Sequence, residues 1–217
     1  MKLAICYFGY PRFYRKGFES TKKLYYNCSI DYYGHFWGNY EIENEVSNFF
    51  KPEKFIFEKQ VKEFKNLNCE LNLSRITKSV FDTISPLYSM QKLHNIIKDC
   101  NKEYDFWILT RTDIGVDGDF SLKNINYDKD KIYSTYNFGD EWLNKYIDAK
   151  FTMCNKESIL HLTNIYDDLE EYVCDKKIPL CHHHLFFHSL LKSNKKMEMI
   201  IANPGDRCTG GWKIIRS

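Results

Sequence analysis

The sequence lacks the short glycine motifs that mark several large enzyme classes. No GxGxxG follows the first apolar run and no GxxxxGKS/T occurs in the chain, which argues against a dinucleotide-binding fold and against a P-loop. The GxSxG nucleophile elbow typical of α/β-hydrolases is missing as well. The eight cysteines form no CxxC pair, so they carry no common zinc or redox motif.

Long apolar runs and an excess of one charge are also missing. No stretch approaches the ~20 apolar residues of a transmembrane helix, and residues 3–8 are too short for the apolar part of a signal peptide. The net charge of +2, from 31 basic and 29 acidic residues, does not support nucleic-acid or membrane-surface binding. We therefore expect a soluble cytoplasmic protein with reduced cysteines, no nucleic-acid partner and no membrane insertion.

Short apolar runs predict strands that alternate with helices. A Ser85-Pro86 pair predicts the start of a central helix, with serine as the N-cap and proline at the first helical position. Because helices separate successive strands, we expect an α/β fold, Rossmann-like, with a mostly parallel sheet covered on both faces and a single domain over 1–217. The predicted strands are 3–8, 30–37, 54–58, 106–109, 131–134, 149–154 and 197–201, and the predicted helices are 18–28, 41–50, 85–98, 156–173 and 180–191.

The most informative stretch is DFWILTRTD at residues 105–113. It predicts a buried strand that ends on a polar segment carrying Asp113, with Asp117 and Asp119 following in a glycine-punctuated loop. In open α/β sheets, ligands bind at the carboxyl ends of strands. Asp113 is therefore a candidate ligand for a hard cation such as Mg²⁺ or Mn²⁺. The alternative is that Arg111 and Asp113 pair with other groups and only complete the strand.

Two further polar stretches follow predicted strands. Tyr10 and Arg12 come directly after the first strand, where the forked donors of arginine suit a phosphate, although a solvent-exposed turn explains them equally well. Further along, Asp140 or Asp148 could serve as a general base or bind sugar hydroxyls, and Trp142 could stack on a sugar. Each of these three has an ordinary surface-loop alternative.

A cluster of histidines near residue 184 suggests a metal site as one of several hypotheses. Cys181, His184 and His188 are spaced so that a helix would place them on one face, and their ligand types suit zinc. A fourth ligand would have to come from Cys174 or His182, and the spacing matches no common zinc motif. The alternatives are a histidine at the helix start that reaches a metal or phosphate, and partly buried histidines on a helix face.

Several segments, taken in order, resemble small GT-A-type glycosyltransferases. LAICYFGYPR at 3–12 resembles their first strand and nucleotide loop. SPLYSMQ at 85–91 and YDFWILTRTD at 104–113 resemble their central helix and the strand that carries the DxD motif, and DAKF at 148–151 resembles the strand that begins the acceptor side. The small size and the usage of lysine, tyrosine and cysteine resemble versions encoded by large DNA viruses of algae.

This resemblance implies a nucleotide-sugar donor, most simply a UDP-sugar, and Mn²⁺ or Mg²⁺. It implies transfer of a hexose or deoxyhexose to a hydroxyl of a glycan or glycoprotein acceptor. Asp113 corresponds to the last aspartate of DxD, the usual metal ligand, whereas Arg111 replaces the first. The implied site comprises donor-binding Tyr10, Arg12, Tyr88, Arg111 and Asp113, metal-binding Asp113 and His184, and acceptor-activating Asp140 or Asp148.

Two other functions stay open from the sequence. A non-catalytic descendant of the same fold would bind a nucleotide or glycan, and Arg111 in place of a carboxylate is its main support. A different metal-dependent α/β enzyme, such as a phosphoesterase, would also place an aspartate at a strand end.

Overall fold

The computed structural model of the chain describes residues 1–73, 79–118, 121–122, 126–135, 150–200 and 211–216. The strands are β1 (Lys2–Gly9), β2 (Ser29–Trp37), β3 (Lys54–Glu58), β4 (Phe106–Thr110), β5 (Ile114–Val116), β6 (Lys131–Thr135), β7 (Phe151–Cys154), β8 (Lys196–Ile200) and β9 (Trp212–Ile214). The α-helices are α1 (Tyr14–Thr21), α2 (Tyr40–Phe50), α3 (Val80–Lys98), α4 (Lys156–Thr163) and α5 (His182–Leu191).

The strands form a large mixed sheet with β1 and β4 near its centre. The order is β3-β2-β1-β4-β7-β6-β8, and β3, β2, β1 and β4 pair in parallel. β7 runs antiparallel to both β4 and β6, whereas β8 is parallel to β6. The expected mostly parallel sheet is confirmed, and its carboxyl edge collects the segments that follow β1 and β4.

Alternating side chains of the central strands pack into two hydrophobic cores, one on each face of the sheet. On β1, Ala4 and Cys6 pack with α3, α4 and α5, whereas Leu3 and Ile5 pack on the face that carries α1 and α2. All four side chains are fully buried. This period of two, buried on both sides, explains why the strand reads as a continuous apolar run.

The central helix begins earlier than its Ser85-Pro86 signal predicts. α3 begins at Val80, where the Ser79 hydroxyl accepts the Asp82 amide hydrogen at 3.0 Å, and Pro86 lies inside the helix. The side-chain cap at Ser79 satisfies an otherwise unpaired amide, so it supplies a better start than Ser85. The prediction that Ser85 caps the helix is wrong, while the predicted end at residue 98 is confirmed.

Two other predictions need correction. The helix predicted over 156–173 ends at Thr163, and a short π-helical turn follows at Glu171–Asp175. The loop predicted after Asp113 contains the short strand β5, which pairs with β9, a strand that the sequence pattern did not indicate. Asp117 forms an ion pair with Lys213, and Asp119 lies outside the described residues.

The expectation of fully reduced cysteines is contradicted by a disulfide. Cys69 and Cys174 are bonded with their Cα atoms 5.6 Å apart, across 105 residues of sequence. The bond ties the irregular segment before α3 to the π-helical turn. Within the described ranges, no helix has both the length and the apolar character required to cross a bilayer.

Candidate active site

Two loops meet at the carboxyl edge of the sheet, one after β1 and one after β4. The Thr112 hydroxyl donates to the carbonyl oxygens of Arg12 at 3.1 Å and Tyr10 at 3.4 Å. The first loop turns where Gly9 adopts a left-handed φ of 88°, which a glycine does without steric cost. The structure thus brings the predicted donor loop beside the predicted DxD-like segment, as parallel adjacent strands require.

Arg111 and Asp113 pair with each other rather than with separate partners. Arg111 Nε donates to Asp113 Oδ1 at 2.9 Å and Nη2 donates to Oδ2 at 2.5 Å, a bidentate ion pair. The Asp113 side chain is only 6% exposed, whereas that of Arg111 is 40% exposed. The carboxylate is therefore enclosed by the protein and the guanidinium borders the solvent.

Neighbouring backbone fixes the loop that carries this ion pair. The Asp113 carbonyl accepts the Ile215 amide hydrogen at 2.7 Å, just after β9. On the other side α1 lies so close that a Cβ placed on Gly17 would be 1.9 Å from the Thr112 carbonyl oxygen. The loop is thus held between α1 and the C-terminal strand.

A buried polar network supports the first loop from beneath. The Ser89 hydroxyl of α3 accepts the Gly9 amide hydrogen at 2.9 Å, lies 2.9 Å from His35 Nδ1 and donates to the His35 carbonyl at 3.0 Å. Both Ser89 and His35 are fully buried. His35 Nε2 lies 3.5 Å from Glu58, which also pairs with Lys92. The network was missed from the sequence because its members lie within predicted core elements.

Ser89→Ala is expected to destabilise the protein by about 2–4 kcal/mol, since it leaves a buried donor at His35 and a partly buried one at Gly9 without their acceptor. It should also weaken any ligand held by the loop after β1. Thermal unfolding and ligand titration of the purified variant measure both effects. Ser47→Ala on α2 is the matched control, expected within about 0.5 kcal/mol of wild type; equal behaviour of the two variants would refute the supporting role.

Burial lowers the pKa of His35 to about 4, with the Lys92 charge acting in the same direction and Glu58 opposing it. In the unfolded chain the His35 imidazole takes up a proton near pH 6.5. The free energy of unfolding therefore has its full value above that pH and decreases as the pH falls toward 4. The slope should reach about 1.4 kcal/mol per pH unit. Thermal unfolding between pH 7 and 5 should therefore show a smaller pH dependence for His35→Gln; an unchanged dependence would contradict the assignment.

Gln60 connects the first loop to α3 and was not identified from the sequence. Its side-chain oxygen accepts a hydrogen bond from the Tyr10 hydroxyl at 3.1 Å, and its amide donates to Ser85 at 3.0 Å. Tyr10 itself is 41% exposed and lies under the Arg12 guanidinium, 5.2 Å from it. The Tyr10 ring and the Arg12 side chain are both accessible to a ligand at this edge.

Tyr88 lies on α3 within an aromatic cluster. Its ring stacks on Trp37 at a centroid distance of 5.7 Å, and Phe64 and Tyr166 contact it at 5.7 and 5.1 Å. Lys92 lies 5.1 Å from the ring centroid. These contacts use much of the ring surface, and a direct contact between Tyr88 and a donor stays a prediction.

The start of α5 faces the same region. His182 Nε2 donates to the Thr83 carbonyl at 2.8 Å. Burial lowers the pKa of His182 to about 4, with the nearby charges of His183 and Arg111 acting in the same direction and the hydrogen bond to Thr83 opposing it. His182 is therefore neutral at pH 7 and lies within electrostatic reach of Arg111, a proximity that the spacing of the histidines alone did not reveal.

The described residues do not fit a metal at the predicted positions. Both Asp113 oxygens are engaged by Arg111, and no group of three or more His, Cys, Asp or Glu side chains converges in the described part of the chain. His184 lies half-buried in the first turn of α5 and belongs to no such group. The zinc hypothesis loses one of its two candidate fourth ligands, because Cys174 is bonded to Cys69.

The predicted acceptor-activating residues Asp140 and Asp148 lie outside the described residues, as does Trp142. The nearest described residue is Lys150, whose carbonyl accepts a hydrogen bond from Thr110 at 2.8 Å. Because Thr110 ends β4, the chain enters β7 beside the loop that carries Arg111.

Comparisons with known proteins bear on the fold. No protein-family model matches the sequence, and no curated protein matches it. Among solved structures, the galactosyltransferase LgtC in complex with donor and acceptor sugar analogues matches with a TM-score of 0.54 and 16% identity, over 92% of this chain and 73% of that one. An active-site mutant of LgtC matches with a TM-score of 0.52 and 15% identity, over 92% and 72%. The expected GT-A-like fold is confirmed.

Proposed function

We propose that this protein transfers a sugar from a nucleotide-sugar donor, most simply a UDP-sugar, to a hydroxyl of a glycan or glycoprotein acceptor. The observation that carries the proposal is the pair of hydrogen bonds from Thr112 to the Tyr10 and Arg12 carbonyls. They hold two arginine-bearing loops together at the carboxyl edge of a GT-A-like sheet. LgtC, which has this fold, has been observed with donor and acceptor sugar analogues.

Arg12 and Arg111 give this edge the chemistry that a diphosphate requires. Guanidinium groups donate planar pairs of hydrogen bonds to phosphate oxygens and keep their charge at all accessible pH values. Arg12 is exposed and Arg111 is 40% exposed, so both can reach a ligand from solvent. The exposed Tyr10 ring adds a flat apolar surface beside them, suited to a base or sugar.

We assign activation of the acceptor hydroxyl to Asp148 or Asp140. The support is the position of Asp148 in the chain, two residues before Lys150. The Lys150 carbonyl accepts a hydrogen bond from Thr110 at the end of β4. A carboxylate delivered there would orient the acceptor hydroxyl or accept its proton.

A thermal-shift screen of UDP-, GDP- and CMP-sugars, with and without Mn²⁺, tests the proposal. A donor at 100 times its Kd should stabilise the protein by about 2.7 kcal/mol, and incubation with acceptor glycans should consume it. Stabilisation without turnover on a broad acceptor panel would favour a binding protein of the same fold. Phosphate release from simple esters, with no response to any nucleotide sugar, would favour a phosphoesterase instead.

A further inference from the structure

We propose that the donor diphosphate is bound without a divalent cation, because Arg111, oriented by Asp113, provides the positive group at the metal position. This inference rests on the proposed function and specifies which group offsets the negative charge of the diphosphate at that site. It starts from the disagreement between Asp113, the expected metal ligand, and the contacts that Asp113 makes.

Asp113 acts as an orienting group for the guanidinium. Two parallel hydrogen bonds, of 2.9 and 2.5 Å, fix the plane of the Arg111 fork. The carboxylate cannot swing away easily, since its side chain is 6% exposed and its backbone is bonded to Ile215. Arginine has five N–H donors, so the two given to Asp113 leave three for a ligand on the 40% of the side chain that is accessible.

A cation at Asp113 would meet two obstacles. It would have to bind a carboxylate whose two oxygens already accept hydrogen bonds from Arg111 and whose side chain is only 6% exposed, and the guanidinium would stand beside it as a like charge. A phosphate meets neither obstacle, because it accepts from the remaining donors while the ion pair stays intact. Arg12, on the loop bonded through Thr112, contributes a second positive charge.

The arrangement also fits the bond that breaks. During transfer, the bond between the anomeric carbon and the β-phosphate oxygen breaks, and its electron pair leaves with the nucleoside diphosphate. The acceptor oxygen bonds to the anomeric carbon and its proton passes to a carboxylate. N–H donors of Arg111 at the departing phosphate would stabilise the charge as it develops, as preorganised donors do in other transfer reactions.

Calorimetric titration of UDP, GDP and CDP, each beside its nucleoside, in EDTA and in Mn²⁺ tests the inference. We expect the diphosphate that binds to do so with a Kd that differs less than about threefold between the two conditions, a difference worth under about 0.7 kcal/mol. Arg111→Gln should raise the Kd of that diphosphate by about 10- to 100-fold and leave the Kd of the nucleoside unchanged. Arg15→Gln, which removes an exposed arginine paired with Glu45, is the matched control and should change neither.

A second variant separates loss of binding from loss of folding. Arg111→Gln leaves Asp113 buried without its partner, so the double variant Arg111→Gln/Asp113→Asn removes both charges together. It should unfold near the wild-type temperature and still bind the diphosphate weakly; wild-type affinity in this folded variant would overturn the inference. Diphosphate binding that requires Mn²⁺ would also overturn it while leaving the proposed function standing. Failure of every nucleotide and nucleotide sugar in both conditions would refute the proposed function first.

Discussion

Gly17→Ala is expected to destabilise the protein by about 3 kcal/mol, which lowers the melting temperature by about 6–12 °C. An alanine in a helix normally stabilises it by about 1 kcal/mol relative to glycine, so the sign is opposite to the usual one. The added Cβ would lie 1.9 Å from the Thr112 carbonyl oxygen and 3.4 Å from that of Ile114. Both neighbours are backbone atoms, so no side-chain rotation relieves the clash.

The same substitution should impair ligand binding, because the backbone that must move carries Arg111 and Asp113. Differential scanning calorimetry and titration with the bound nucleotide measure the two effects on one sample. Gly38→Ala is the matched control: its Cβ would come no closer than 3.3 Å to the Phe57 side chain, which can adjust. If Gly17→Ala proves as stable as Gly38→Ala, the close packing of α1 on the loop after β4 is refuted.

Removing the disulfide is expected to have a comparable effect on stability. The double variant Cys69→Ser/Cys174→Ser should lose about 2–5 kcal/mol relative to the oxidised protein, since the bond closes a long loop of the unfolded chain. Other contacts also hold the segment that it anchors, among them the hydrogen bond from the Lys65 amide to the Tyr166 hydroxyl and the Lys65–Glu170 ion pair. Thermal unfolding with and without reductant measures the loss.

Alkylation under denaturing, non-reducing conditions provides the direct chemical check. Peptide mass mapping should find the alkyl group on the five described free cysteines and none on Cys69 or Cys174, which are held in the bond. Modification of all eight in protein purified without reductant would contradict the assignment. Cys28→Ser, at a half-buried free cysteine, is the control variant and should leave the melting temperature nearly unchanged.

The central strands could be predicted because burial on both faces leaves a simple pattern. β1 and β4 each read as an unbroken apolar run, and β3 was predicted with its observed bounds of Lys54–Glu58. The start of α3 was missed because two serine caps compete locally, and the hydrogen bond from the Asp82 amide decides between them. β9 was not predicted because a three-residue strand is too short to show an alternation of apolar and polar residues.

The position of the site in the fold could be predicted from the sequence, but its side-chain contacts could not. Strand order brings Arg12 and Arg111 to one edge, and that follows from the alternation of strands and helices. The bidentate pairing of Arg111 with Asp113 depends on side-chain geometry that no spacing rule encodes. Likewise, eight cysteines allow many pairings, and only the fold brings Cys69 to Cys174.

Hydrogen exchange with mass spectrometry, with and without a saturating nucleotide sugar, tests most directly the claim that the donor binds at the edge formed by the loops after β1 and β4. The account predicts slower exchange in peptides that contain Tyr10–Arg12 and in peptides that contain Arg111–Asp113, with little change in α2. Protection confined to other peptides, with both loops exchanging as in the free protein, would contradict it.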